Sequence, residues 1–150
     1  MSIKQSAVLL TATLLLCGAA TAHEEATGIV KERMDLMKRQ RDDMKIIGDM
    51  AKEKTPYDAA KAGAAARDIG ETSKKIPEQF PEGSGGHPSE ALPAVWEDFD
   101  RFSKLAGDLE TKAQALDQAI AAGGDWKPQF QAVTDGCKAC HQDFRAKKKN

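Results

Sequence analysis

The chain has 150 residues, of which 41% are hydrophobic, 30% charged and 5% aromatic. This length fits one domain and excludes a large multidomain enzyme. Lys and Arg total 22 against 23 Asp and Glu, a formal net charge of -1, so the chain lacks the positive field that would hold a nucleic acid. Because Ala, Lys, Glu, Asp and Leu dominate the composition, we expect an all-α domain.

The N-terminal segment has the features of a secretory signal peptide. Lys4 lies in a short basic region, residues 7–16 form an apolar run, and residues 20–22 (Ala-Thr-Ala) fit the small-residue cleavage pattern. The apolar run is shorter than the roughly 20 residues that a transmembrane helix needs, so we expect no membrane anchor. The sequence therefore predicts a signal peptide at residues 1–22, cleaved after Ala22, and one exported domain at residues 23–150 in the periplasm.

Apolar spacing and helix breakers divide the rest of the chain into four predicted helices. We expect them at about residues 27–52, 56–76, 93–122 and 128–145, with Thr55 as the N-cap of the second and Gly123 ending the third. Residues 77–92, rich in Pro and Gly, form a long connection. Two short turns and one long crossover predict an antiparallel four-helix bundle, whose interior commonly hosts a cofactor.

The first two predicted helices differ in their inner faces. The first carries a seam of partly apolar residues that repeats every seven positions. The second carries mainly alanine, whose small side chain lets a neighbouring helix approach closely or leaves room for a bulky group. The seam consists of Val30, Met37, Met44 and Ala51, with Arg33, Gln40 and Ile47 between them.

The chemistry lies in residues 137–141, Cys-Lys-Ala-Cys-His. In a helix, positions i, i+3 and i+4 share one face, so Cys137, Cys140 and His141 project together. This is the attachment sequence for c-type haem, in which two thioethers hold the porphyrin and the His binds the iron. The expected export agrees with this cofactor, because c-type haem is attached outside the cytoplasm.

Three other uses of these cysteines are weaker. A zinc site needs four ligands, and the mature chain adds only His23 and His87 to the cluster. A thioredoxin-like dithiol would follow a strand, and no strand pattern is present. A disulfide across two helical residues would be strained and would close almost no loop. The sequence therefore predicts one covalently bound haem c and its iron.

The order of motifs along residues 27–147 resembles the class II cytochromes c, which include cytochrome c' and the low-spin cytochrome c-556. The resemblance rests on residues 56–60 (Pro-Tyr-Asp-Ala-Ala), 80–84 (Phe-Pro-Glu-Gly-Ser), 92–99 (Leu-Pro-Ala-Val-Trp-Glu-Asp-Phe) and 137–145 (Cys-Lys-Ala-Cys-His-Gln-Asp-Phe-Arg). The C-terminal haem motif distinguishes this class from the class I proteins. The resemblance implies an antiparallel four-helix bundle.

The resemblance also implies a position for the sixth iron ligand, four residues after an Arg in the first helix. That position is Met37, after Arg33. Members with Met there are six-coordinate and low-spin, whereas members with Leu leave the iron open to small gases. Met is also common as a core residue, and Met34 is the nearer rival.

Three further residues are candidate haem contacts by resemblance. Arg33 and Arg145 would pair with the haem propionates or line the proximal side of the haem. Both arginines could equally be solvated charges on the protein surface. Trp96 would pack on the porphyrin, although core filling also explains it.

A Met/His pair suits electron transfer, because the thioether favours ferrous iron and a filled sixth site limits side reactions. The sequence thus predicts a periplasmic electron carrier, not an enzyme, that exchanges electrons with redox partner proteins. The alternatives are a five-coordinate cytochrome c' that binds nitric oxide or carbon monoxide and, more weakly, a haem peroxidase, for which the first helix offers no distal His. The sequence leaves open whether the protein forms a homodimer through the first two helices. Lys147 begins a basic tail that could dock an acidic partner.

Overall fold

The computed structural model describes residues 26–147 of the chain. The elements in chain order are α1 (Gly28–Ala51), α2 (Ala59–Lys74), a 3-10 turn (Pro77–Gln79), α3 (Ala94–Glu97), α4 (Phe99–Ala121) and α5 (Lys127–Phe144). The four long helices α1, α2, α4 and α5 form the predicted antiparallel bundle. The predicted signal peptide lies outside the described residues. No helix in residues 26–147 has the length and apolar character needed to cross a membrane.

The second helix begins later than predicted. Thr55 is exposed in the turn after α1, and the N-cap of α2 is Asp58, whose carboxylate accepts a hydrogen bond of 3.0 Å from the backbone N–H of Lys61. The prediction of Thr55 as N-cap is therefore wrong. The physical reason is that Asp58 offers an equally strong cap, and its carboxylate satisfies one of the first free N–H groups of the helix.

The predicted third helix is divided in two. Asp98 has φ -133° and ψ 55°, which ends α3 before α4 begins at Phe99. Trp96 in α3 donates its indole N–H to the carbonyl oxygens of Phe80 and Pro81 at 3.1 and 2.9 Å. These tertiary bonds fix Trp96 against the long connection and override the local helical preference.

Small residues let α2 and α4 pack closely along most of their length. Gly63 lies beside Asp117 and Ile120, and Gly70 lies beside Ala113. This pairing runs in opposite directions along the two helices, which is the expected antiparallel arrangement. Of the two uses that the sequence allowed for the alanine-rich face of α2, the structure shows the close approach of a helix.

The core consists of two clusters of buried side chains. The first cluster lies towards the α1–α2 turn, and the second lies towards the long connection between α2 and α4. The first contains Ile47, Met50, Ala62, Ala65, Ala66, Ile69, Leu109, Ala113, Leu116, Ile120, Trp126 and Val133, and the second contains Ile76, Phe80, Val95, Phe102, Ala106 and Phe144.

The bundle is closed on three sides and sparsely packed on the fourth. α2 contacts α1 and α4 extensively and α4 contacts α5 extensively, whereas α1 and α5 touch at few places. On α1, Arg33, Gln40, Ile47 and Met50 are buried, whereas the predicted seam of Val30, Met37, Met44 and Ala51 is only half-buried. Within residues 26–147, the α1–α5 side is therefore the most sparsely packed of the interfaces between neighbouring long helices.

Candidate functional site

The cysteines of the C-terminal motif lie on the part of α5 that borders this open side. Cys137 and Cys140 are free, half-buried thiols. Cys137 packs against the first cluster and Cys140 against the second. Cys137 and Cys140 thus lie one helical turn apart on α5, and each packs against apolar side chains.

Burial keeps both thiols protonated near neutral pH. It raises the pKa of the Cys137 thiol, and burial together with the charges of Cys137 and Asp143 raises the pKa of Cys140 to about 11. A redox-active dithiol needs the opposite, a lowered thiol pKa that supplies thiolate. Within residues 26–147, moreover, no three His, Cys, Asp or Glu side chains come together to hold a metal ion. The raised pKa of both thiols disfavours the dithiol alternative.

His141 is accessible from the surface of the site. It is exposed and lines a cleft of about 370 Å³ together with Arg41, Arg145, Ala146 and Lys147. Partial desolvation lowers the pKa of the imidazole, the charge of Arg145 lowers it further, and Glu90 acts in the opposite direction. A lowered pKa favours the neutral imidazole, which is the form that binds metals.

Met37 and Met34 have different surroundings. Met37 is half-buried and packs against the second cluster, the same cluster that Cys140 contacts. Met34, one turn earlier, is 51% exposed. Gly48 of α1 lies beside Phe130 of α5, and Arg41 shares the cleft of His141. Because Arg41 follows Met37 by one helical turn, Met37 lies on the face of α1 that borders α5.

Arg33 is buried, only 5% exposed, so its interpretation as solvated surface charge is wrong. Its guanidinium donates to the carbonyl oxygen of Gln79 and to the hydroxyls of Ser84 and Ser89. It also lies 4.0 Å from the centroid of the Phe80 ring. Hydrogen-bond acceptors and the ring of the long connection compensate the desolvation of this charge.

Arg145 and Trp96 make contacts that the sequence did not indicate. Arg145 donates to the Glu90 carboxylate at 2.6 and 2.8 Å and lines the cleft beside His141. Trp96 is half-buried against the second cluster. Arg41, which also lines the cleft, was not predicted, although its position one turn after Met37 on the same helical face indicates that it lies nearby.

Residues 28–145 match the model of the family described as Cytochrome C'. The chain belongs to the cytochrome c' family. It is 38% identical over 126 residues to cytochrome c-554 from Cereibacter sphaeroides, covering 79% of this chain and 93% of the relative. It is 36% identical over 148 residues to cytochrome c-556 from Agrobacterium fabrum, covering 93% of this chain and 95% of that protein.

Solved structures of the cytochrome c' family have the same fold. The structure of cytochrome c' from Rhodopseudomonas palustris superposes with a TM-score of 0.75 at 33% identity, covering 83% of this chain and all of that one. The protein is a c-type cytochrome whose cofactor is covalently attached haem c with its iron. Cys137 and Cys140 fit that attachment, because both are free thiols with apolar backing beside the open side of the bundle.

Proposed function

We propose that the protein is a periplasmic one-electron carrier whose haem c is bonded to Cys137 and Cys140 and ligated by His141 and Met37. The observation that carries the proposal is the position of Met37, half-buried on the α5-facing side of α1 and packed against the same cluster as Cys140. Met34 is half-exposed and has no such packing. This difference supports Met37 over its neighbour as the distal ligand.

The protein groups have separate roles in the proposed carrier. Bound haem c supplies one iron that alternates between the ferric and ferrous states. Partial desolvation and the charge of Arg145 favour the neutral form of the His141 imidazole, which is the form that binds a metal. The soft thioether of Met37 favours the ferrous state and raises the reduction potential relative to harder ligands. Because Met37 is partly buried, it would restrict the access of water and small molecules to the sixth coordination position of the iron.

The proposed carrier exchanges electrons with redox partner proteins in the periplasm. Arg41 and Lys147 lie on the rim of the His141 cleft, which suits an acidic partner because opposite charges speed encounter. Arg145 and Arg41 contribute less positive charge there than Lys147, because they are paired with Glu90 and Asp42. The homodimer stays a prediction. Light scattering during size-exclusion chromatography tests it by measuring the molar mass of the protein.

Visible absorption spectra of the holoprotein test the proposal directly. We expect the oxidised and reduced protein to be low-spin, and the reduced spectrum to change little under carbon monoxide. Met37→Ala should convert the iron to a high-spin form that binds carbon monoxide readily. Met34→Ala is the matched control, because the same side-chain type is removed one turn away, and it should leave the spectrum unchanged.

The opposite result identifies the alternative function. A high-spin parent protein that binds carbon monoxide promptly, with no response to Met37→Ala, would make the protein a gas-binding cytochrome c'. A spectrum that responds to Met34→Ala and not to Met37→Ala would move the distal ligand by one turn.

A further inference from the structure

Arg33 fastens the long connection to α1. Its Nε and one terminal nitrogen donate to the Gln79 carbonyl at 3.1 and 2.9 Å, and its terminal nitrogens donate to the hydroxyls of Ser84 and Ser89, each at 2.8 Å. The guanidinium plane also covers the Phe80 ring. One side chain of α1 thus binds the connection at three positions along its length.

The other end of the same connection is fastened to the end of α5. The backbone N–H of Leu92 donates to the Phe144 carbonyl at 3.0 Å, and that of Ala146 donates to the Glu90 carbonyl at 2.8 Å. The Glu90 carboxylate also accepts the two bonds from Arg145. The connection therefore reaches from α1 to residues 144–146, which lie about one helical turn after His141.

This connection joins the two helices that carry the proposed iron ligands. α1 and α5 touch each other at few places, so their own packing does little to fix the distance between them. Arg33 lies one turn before Met37, and Arg145 lies one turn after His141. The two points of attachment are thus each within one helical turn, about 5.4 Å, of a proposed ligand.

We propose that Arg33 is a positioning residue, which holds α1 at the depth and rotation that keep the Met37 sulphur on the iron. The inference rests on the proposed function, since it requires Met37 to be a ligand. Residues that orient metal ligands without touching the metal commonly change affinity by about 10- to 100-fold when they are replaced. Lysine cannot replace Arg33, because a single ammonium group lacks the planar fork that reaches the carbonyl and both hydroxyls.

The test uses holoprotein variants that loosen the attachment from either side. Arg33→Lys removes the fork, and the double variant Ser84→Ala, Ser89→Ala keeps Arg33 and removes its two hydroxyl acceptors. Arg39→Met is the matched control, because Arg39 is an exposed arginine of the same helix that pairs with Asp68. Each variant is examined for spin state, carbon monoxide affinity, midpoint potential and helix content by circular dichroism.

We expect both loosened variants to keep their helix content, to gain a high-spin fraction and to bind carbon monoxide about tenfold more tightly. Arg39→Met should match the parent. In a Met37→Ala background, the same substitutions should change neither spin state nor carbon monoxide affinity, because the ligand that they position is gone. An effect of Arg33 that persists without Met37 would contradict the inference.

The possible failures are distinguishable. If Met37→Ala converts a low-spin parent to high-spin but the loosened variants stay low-spin and inert to carbon monoxide, the inference is overturned and the proposed function stands. A lower melting temperature without any change at the iron also overturns the inference, because it would show a purely structural role. If the parent is high-spin and Met37→Ala has no effect, both proposals are overturned.

Discussion

The side-chain amide of Gln40 donates a 3.0 Å hydrogen bond to the hydroxyl of Ser73 between α1 and α2. A second bond of 3.1 Å reaches the Thr72 hydroxyl, and all three side chains are buried. Both hydroxyls also donate to backbone carbonyls of α2. The two helices are therefore joined by a polar contact inside an otherwise apolar interface.

Gln40→Ala is expected to lower the free energy of unfolding by about 2 kcal/mol, because two buried hydroxyls lose a donor and a cavity forms. Guanidinium chloride unfolding of the holoprotein measures this loss. Gln114→Ala is the control, because Gln114 is exposed and its amide bonds only to Glu110 in the same helix. Equal losses in the two variants would show that the buried contact contributes nothing specific.

Asp43 should make the protein less stable as the pH rises from about 4 to 7. Burial, and then the neighbouring Asp68 carboxylate, raise the pKa of Asp43 from its ordinary value of 3.8 to about 7. Between these two values the folded state holds a proton that the unfolded state has lost, so raising the pH favours unfolding. Asp43→Asn removes this titration, and we expect a gain of about 1 kcal/mol at pH 8.

Unfolding midpoints between pH 5 and pH 8 check the role of Asp43, with Asp42→Asn as the control. Ion pairing with Lys38 lowers the pKa of the exposed Asp42, so this group does not titrate in that range. Asp42→Asn should leave most of the slope of stability against pH in place, because the charge of Asp42 is the smallest of the causes that raise the pKa of Asp43. A slope that survives Asp43→Asn would assign the titration to another group.

Gly70→Ala is expected to stabilise the protein by about 0.5 to 1 kcal/mol, because alanine restricts the unfolded chain and favours the helix. A Cβ at Gly70 would lie 3.7 Å from the Cβ of Ala113, an ordinary van der Waals contact. Thermal unfolding measures the gain. Gly136→Ala provides the contrast, because its Cβ would lie 3.2 Å from Leu109 and the crowding should offset the gain.

Replacement of both Cys137 and Cys140 by alanine should abolish covalent attachment of haem. Acidified organic solvent would then extract the haem from the double variant, whereas it should leave haem on the parent protein. Lys138→Ala controls for disturbance of the motif, because Lys138 is exposed between the cysteines. Haem that stays bound to the double variant after extraction would contradict attachment through these thiols.

The helices and the haem motif could be predicted because their signals are local. The i, i+3, i+4 spacing of Cys137, Cys140 and His141 is contained within five residues, and the apolar stripe of α4 is continuous after Phe99. The break at Asp98 could not be predicted, because Trp96 continues the stripe of α4 in the sequence. Trp96 instead lies in the separate helix α3, where its indole donates to the carbonyl oxygens of Phe80 and Pro81, which are 16 and 15 residues away in the sequence.

The environment of Arg33 was beyond the sequence for the same reason. Arg33 lies on the predicted seam of α1 between Val30 and Met37, but a charged residue on an amphipathic helix is usually solvated unless it is paired. Its acceptors lie in a connection more than 45 residues further along the chain. The distal position Met37 came from the family resemblance, and its half-buried packing against the second cluster was not visible in the sequence.

The sparse packing between α1 and α5 has a consequence for turnover in the cell. A chain without haem would present that face uncovered, whereas attached haem would bury it, add contacts to both helices and so stabilise the folded state relative to the unfolded chain. Empty protein should therefore open more often and be cleaved sooner by proteases than loaded protein. The rate at which proteases cut the α1–α5 side should therefore report whether haem has been attached.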